Sequence, residues 1–394
     1  MKLGAPRRLI LLAGLLPLLP LPAPAGEPSS RKPQRPRVDM SAIPADEAAE
    51  RADLKKLNGA RRATSDSPDG SATQPGGQAF QVFRTNHFSI LHDVSEADVK
   101  AFSTSIEKTY RSNLNYTLTL GIEPRRPAHK LIIYYFREHA AYDAYSRALG
   151  KGERPQSNPG VFFPDMNRSM FYNFQDQESV KRLREQAEAK IKNLQDRLKG
   201  KVTAEEREKI GREILQAKSQ ANFSATAGGG QNEETVQHEV THHVLWNVGL
   251  HNAKEGNFLA NPRWFVEGTA MMFETAGEGK ASNIGAVNRG RLREFQHFER
   301  QGRLFDVRDF ISRPDFFAAG GDAPFIAYAQ SWALVHYLNR TKRKKIKTYV
   351  ELINQRPPGF ETTPAKEIAA FEKAFGRLDA RWVRQWRAWM RNVR

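Results

Sequence analysis

From about Ala79 onward the chain alternates short runs of period two with longer runs of period three to four. Phe83–Leu91 switches between apolar and polar side chains and predicts a strand. Glu96–Leu118 carries its apolar residues at helical spacing. Leu131–Phe136, LIIYYF, is a short β-rich run between charged flanks, the pattern of a buried strand. Arg137–Leu149 predicts a second helix, with a glycine just past its end. Val161–Phe174, VFFPDMNRSMFYNF, reads as two strands about a turn at Asp165–Arg168. From Glu233 on, the patterning is helical throughout, so strands and helices segregate as in an α+β fold.

Three segments stand apart. Residues 176–222 repeat Val180, Leu183, Ala187, Ile191, Leu194 and Leu198 at three- and four-residue steps among many charges. Gly200 ends that helix, and Thr203 with Glu206 forms a capping box for the next, so an inserted helical hairpin is expected. Residues 26–78 mix Pro, Ser, Gly, Arg and Asp with few aromatics, which predicts a disordered linker, with room for a short helix around Pro44–Leu57. Residues 1–25 combine Lys2, Arg7 and Arg8, an apolar run from Leu9 and a small-x-small Ala23-Pro24-Ala25, the pattern of a secretory signal cleaved near Ala25. At the other end, residues 380–394 set Trp382, Trp386, Trp389, Met390 and Val393 on one helical face, which predicts core packing. The glycines at 228–230 are not a phosphate loop, because neither a strand nor a GKS/T pattern accompanies them.

Composition narrows the chemistry. The chain has 394 residues, is 39% hydrophobic and contains no cysteine, so disulfides, thiolate metal sites and a cysteine nucleophile are excluded. Any metal must bind nitrogen and oxygen. The formal charge is +17, and removing the leader leaves about +14. For an exported chain that balance points to an anionic envelope polymer, a membrane surface or acidic substrates, and away from nucleic acid. Only Arg340–Lys347, RTKRKKIK, concentrates the charge, and its ordinary role is a solvated helix end or loop.

Within residues 235–247, TVQHEVTHHVLWN, His238, Glu239 and His242 form H-E-x-x-H. Residues four apart lie one turn above each other on a helix, so His238 and His242 can offer two imidazoles to one cation. Glu239 is rotated about 100° from them, close enough to reach a water on the metal without ligating it. His243 is off that face and reads as a packed or exposed histidine. Downstream, residues 261–274 read NPRWFVEGTAMMFE. Asn261 is a suitable N-cap, Pro262 suits the first helical position, and the helix they start carries Glu267. Gly268 would let a second helix approach. A carboxylate from that helix completes a His-His-Glu set and leaves a fourth position for water.

These segments resemble the gluzincin metallopeptidases, the peptidase MA-like proteins. HEVTHHVLWN resembles their HExxHxWxGN-type helix, with Asn247 in the matching place. WFVEGTAMMFE resembles W-L-x-E-G-x-A-x-Y-F-E at Trp264, Glu267, Gly268, Ala270, Phe273 and Glu274. YAQSWALVHYL, from Tyr328, resembles the helix whose tyrosine stabilises the oxyanion. The resemblance implies a thermolysin-like arrangement over 79–394: a small N-terminal mixed sheet with an edge strand over the active-site helix, then a mostly helical subdomain. It further implies one zinc ion on His238, His242 and Glu267, Glu239 as general base, Tyr328 at the oxyanion, and a peptide or protein substrate. Glu274 and Asn247 are the expected partners of the imidazoles, and Met170–Phe174 the expected strand for an extended substrate. Two features depart from the family. His242 and Glu267 are twenty-five positions apart, a few more than usual, and the G-x-M-E-N strand that captures a free amine is missing, so aminopeptidase activity is not expected. The alternative to an enzyme is a non-catalytic envelope-binding protein that keeps the fold.

Overall fold

Strands early and helices late build one mixed sheet followed by a helical half. The structure is a computed structural model. It describes residues 38–65, 78–155, 158–174, 178–199, 233–254, 260–274 and 286–393, with positions 203, 206, 210, 213 and 214 between them. The expected leader and the glycines at 228–230 lie outside the described residues. Five strands run in the order β1-β2-β3-β5-β4. β1 (Gln81–Arg84) is antiparallel to β2 (Phe88–His92). β2, β3 (Leu131–Phe136) and β5 (Arg168–Tyr172) are mutually parallel. β4 (Gly160–Phe163) is antiparallel to β5 and forms an edge.

The single strand expected over 83–91 is therefore a hairpin. Its turn is made by Thr85, whose amide donates to Phe88 O at 2.9 Å and whose hydroxyl accepts from the Phe88 amide at 2.9 Å. The expected edge for an extended ligand is also corrected. β5 pairs on both sides, so the free edge near Met170–Phe174 belongs to β4.

All six residues of β3 are buried. Leu131, Ile133 and Tyr135 join the main core with α2 (Glu96–Thr119), while Ile132, Tyr134 and Phe136 join a second core with α3 (His139–Ala148). A strand covered on both faces has no reason to alternate, which is why it reads as an unbroken apolar run. α1 (Glu47–Ser65) covers the second face with Leu57.

This corrects the linker expected over 26–78, since residues 38–65 are built into the fold. Ile43 and Leu57 are 2% and 1% exposed. The acids that made the segment read as solvated are paired: Glu50 accepts from Arg84 Nε at 3.1 Å, and Asp53 from Arg168 Nε at 2.9 Å. The inserted arm begins with α4 (Glu178–Lys199). The capping box beyond it is present, with the Glu206 amide donating to Thr203 Oγ1 at 3.2 Å and the Thr203 amide to Glu206 Oε2 at 2.9 Å. Most of the second helix expected there falls on positions outside the described residues.

The helical half comprises α5 (233–248), α6 (Arg263–Ala270), a 3-10 turn at Met271–Phe273, α7 (Arg289–Arg300), α8 (Val307–Ser312), α9 (Ala323–Thr341), α10 (Arg343–Asn354), α11 (Pro364–Phe375) and α12 (Ala380–Arg391). α9 is buried nearly all round, as its uniformly apolar composition demands, and α6 and α7 pack on it. α12 seats Trp382, Trp386 and Met390 in the core. Among the described residues no helix is long and apolar enough to cross a membrane.

Candidate metal centre

α5 presents two faces. Val236, Val240, Val244, Leu245 and Val248 enter the main core, and Thr241 Oγ1 accepts from Asn113 Nδ2 of α2 at 3.1 Å. The adjoining face carries His238 and His242, each 9% exposed, toward α6.

α6 starts one residue later than expected. Its N-cap is Pro262, and Asn261 serves elsewhere: its Oδ1 accepts from the Asn252 amide at 2.7 Å and its Nδ2 donates to Asn252 O at 2.9 Å. Buried Arg356 donates to Ala260 O and pairs with Glu367 at 2.8 Å, tying the approach to α6 to α10 and α11. Gly268 sets the height of α6 over α9. A Cβ there would stand 2.6 Å from the Ser331 carbonyl oxygen, so only glycine permits the approach.

Together these supports bring Glu267 to the imidazoles. The two Nε2 atoms are 2.9 Å apart, and Glu267 Oε2 lies 3.2 Å from that of His238 and 3.4 Å from that of His242. The three side chains form a group that could hold a metal ion. A tetrahedral ion with nitrogen ligands at about 2.0–2.1 Å spaces its donors by roughly 3.3 Å, so the donor set fits. Two imidazole nitrogens facing each other with a carboxylate beside them are a donor set that a shared cation can use.

Outside the donors, Glu274 Oε1 meets His238 Nδ1 at 2.7 Å. Glu274 in turn accepts from Arg291 Nε at 3.1 Å and Asn288 Nδ2 at 3.3 Å. Burial would raise the Glu274 carboxyl, but the Arg291 charge and the His238 hydrogen bond outweigh it and hold it at about 2. Burial likewise opposes protonation of His238, yet Glu267 and Glu274 prevail and keep its imidazole up at about 10. Glu267 responds in the opposite sense: despite burial, its two imidazole partners hold it well below the ordinary carboxylate range. The expected role of Glu274 beside an imidazole matches this geometry. Asn247 does not share it; it exchanges hydrogen bonds with Asn167 at 2.8 and 3.0 Å, away from both ligands.

Glu239 lies beside the group and outside it. Its Oε2 accepts the Phe162 amide of β4 at 2.9 Å. Burial, aided by the charge of Glu267, raises its carboxyl, with the imidazoles opposing. Gly160 brings β4 down onto α5, since a Cβ there would meet the Phe171 ring at 2.5 Å and Thr235 Cγ2 at 3.2 Å. His243 is fully buried, stacks on Phe162 at 4.9 Å and meets Ser169 Oγ at 3.0 Å through Nδ1. It therefore seats α5 against the sheet, and of the packed and exposed alternatives it is the packed one. Tyr328, on α9, is close enough to Glu267 that this charge, followed by burial, raises its phenol and keeps it a donor. Its ring meets Phe317 edge-on at 5.3 Å and lies 5.9 Å from the Arg291 guanidinium. The sequence reading missed Arg263, Arg291 and Phe162. The arginines carry no motif, and a main-chain donor leaves no mark in side-chain identity.

A family model described as a protein of unknown function (DUF1570) matches residues 232–359. That span holds His238, Glu239, His242, Glu267, Glu274 and Tyr328. Comparison with curated proteins returns no match.

Proposed function

We propose that the chain is a zinc-dependent metallopeptidase of the gluzincin type, hydrolysing peptide bonds with Glu239 as general base. The observation that supports this most is the meeting of His238, His242 and Glu267 within 2.9–3.4 Å, with Glu239 adjacent and not part of the group. Bound there, a zinc ion would supply a Lewis acid that polarises the scissile carbonyl and makes water a better nucleophile at neutral pH.

The chain's own groups carry the rest. Glu239, with its carboxyl raised toward the working range, takes a proton from the attacking water. As oxygen adds to the carbonyl carbon, the Tyr328 hydroxyl donates to the oxygen that gains charge. The carbon–nitrogen bond then breaks, and Glu239 returns the proton to the departing amine. The Phe162 amide holds Glu239 throughout, and β4, the edge strand among the described residues, lies beside it for an extended peptide to meet. The sheet, its edge strand and α5 together favour a thermolysin-like arrangement.

A non-catalytic reading draws on one observation. Arg340, Arg343, Lys344, Lys345 and Lys347 are all exposed at the α9–α10 junction, a surface suited to an anionic envelope polymer or membrane. Metal content of the purified protein, with peptide-library cleavage by wild type and Glu239→Gln, separates the two. The peptidase reading expects one zinc per chain in both proteins and cleavage by wild type alone. A metal-free wild type, or undiminished cleavage by Glu239→Gln, rejects it.

A further inference from the structure

One charged side chain at the centre has no part in the steps above. Arg263 opens α6, and its Nε lies 3.5 Å from Glu267 Oε1. The other oxygen, Oε2, faces both imidazoles at 3.2 and 3.4 Å. The two oxygens of Glu267 are thus divided between an arginine and the histidine pair. The guanidinium is itself held. It lies 4.9 Å over the ring of Phe317, which is 6% exposed and packs edge-on against Tyr328. Phe317 thus stands between the Arg263 guanidinium and the Tyr328 ring. The Arg263 side chain remains 41% exposed, so the fork borders the open side of the centre. Arg291 occupies a different place, behind Glu274 and the far side of the His238 ring.

We propose that Arg263 is a positioning residue of the metal centre: it engages Glu267 Oε1 so that Oε2 alone is left to face the ion, and by stacking on Phe317 it holds the ring against which Tyr328 packs. The idea rests on the metallopeptidase reading. A glutamate's terminal torsion is broad and roughly two-fold, so an unrestrained Glu267 could turn both oxygens to the ion and fill the position the reaction needs open. An arginine suits the task because its planar fork can hold an acceptor in a fixed direction while stacking on an aromatic face, which a single ammonium does less well.

The test compares wild type, Arg263→Gln and Arg263→Lys, each stripped of metal and reloaded. Zinc dissociation constants come from competition with a chromophoric chelator. Visible absorption of the cobalt(II)-loaded proteins reports coordination number, because four-coordinate cobalt absorbs more strongly than five-coordinate. Arg263→Gln is expected to weaken zinc about 10- to 100-fold and to lower the cobalt absorption. Arg263→Lys is expected to regain affinity by again holding Glu267 Oε1, while kcat stays low at unchanged KM, since the ammonium does not stack on Phe317 and Tyr328 is less well held. Wild-type affinity and cobalt absorption in Arg263→Gln overturn the proposal while leaving the peptidase reading intact. If Arg263→Gln fails to fold by circular dichroism, full kcat in a folded Arg263→Lys overturns it equally. A wild type that takes up neither ion ends both.

Discussion

The main-chain amide of Phe162 donates to the Glu239 carboxylate across 2.9 Å, joining the sheet edge to the helix that carries both imidazoles. Phe162 pairs in register with Ser169, but its amide is turned to Glu239, off the edge. Proline at an edge position whose N–H points away from the sheet spares the ladder. Phe162→Pro should therefore fold and retain zinc but lose kcat by about 10- to 100-fold, because the base is no longer held in line. Phe162→Leu, which keeps the amide and removes the ring from His243, should stay near wild type. Equal losses in both variants would assign the effect to the ring.

Glu274 should govern metal affinity without touching the ion. Replacing it by glutamine removes the charge facing His238 Nδ1 and leaves Arg291 with Glu294, at 3.2 Å, as its charged partner. Zinc binding should weaken about 10- to 100-fold, read by chelator competition, while peptide KM measured at saturating zinc stays unchanged.

The three-residue group that could hold a metal was legible because a helix converts a four-residue spacing into a shared face, and because WFVEG places Glu267 in a recognisable setting. LIIYYF and the paired strands at 161–174 were legible for an equally local reason, apolar and turn residues at fixed offsets. What escaped depends on distant partners. Residues 38–65 look solvated until Arg84 and Arg168 are found opposite Glu50 and Asp53. The β1–β2 turn hides in an alternating run because nothing in Thr85-Asn86-His87 announces it. Asn261 looks like a cap, yet its amide is taken by Asn252 across a nine-residue separation.

Gly268→Ala should lower stability and metal affinity together. The added methyl would stand 2.5 Å from Val335 Cγ2 and 2.6 Å from the Ser331 oxygen, and a helix carbonyl cannot move aside as a side chain can. The cost should be about 1–3 kcal/mol by chemical denaturation, with Glu267 shifted from the imidazoles. Trimming Val335 to alanine in the same chain should not restore either property, since the carbonyl obstacle remains.

His336 should shape the acid limb of stability. It is 1% exposed and stacks on Trp332 at 4.9 Å; burial, with the charge of Arg340, pushes its imidazole down to about 4. The unfolded chain takes up this proton below about pH 6.5, so the contribution is complete above that pH and is lost as pH falls toward 4. The loss amounts to about 3 kcal/mol over that window. His336→Phe, measured by denaturant titration at several pH values, should flatten the slope between pH 6.5 and 4. An unchanged slope would show that other groups carry it.

His238 and Glu267 are twenty-nine positions apart and meet only when α6 has docked on α9. On the metallopeptidase reading, a newly made copy is harmless until that docking is complete, with no separate inhibitory segment required.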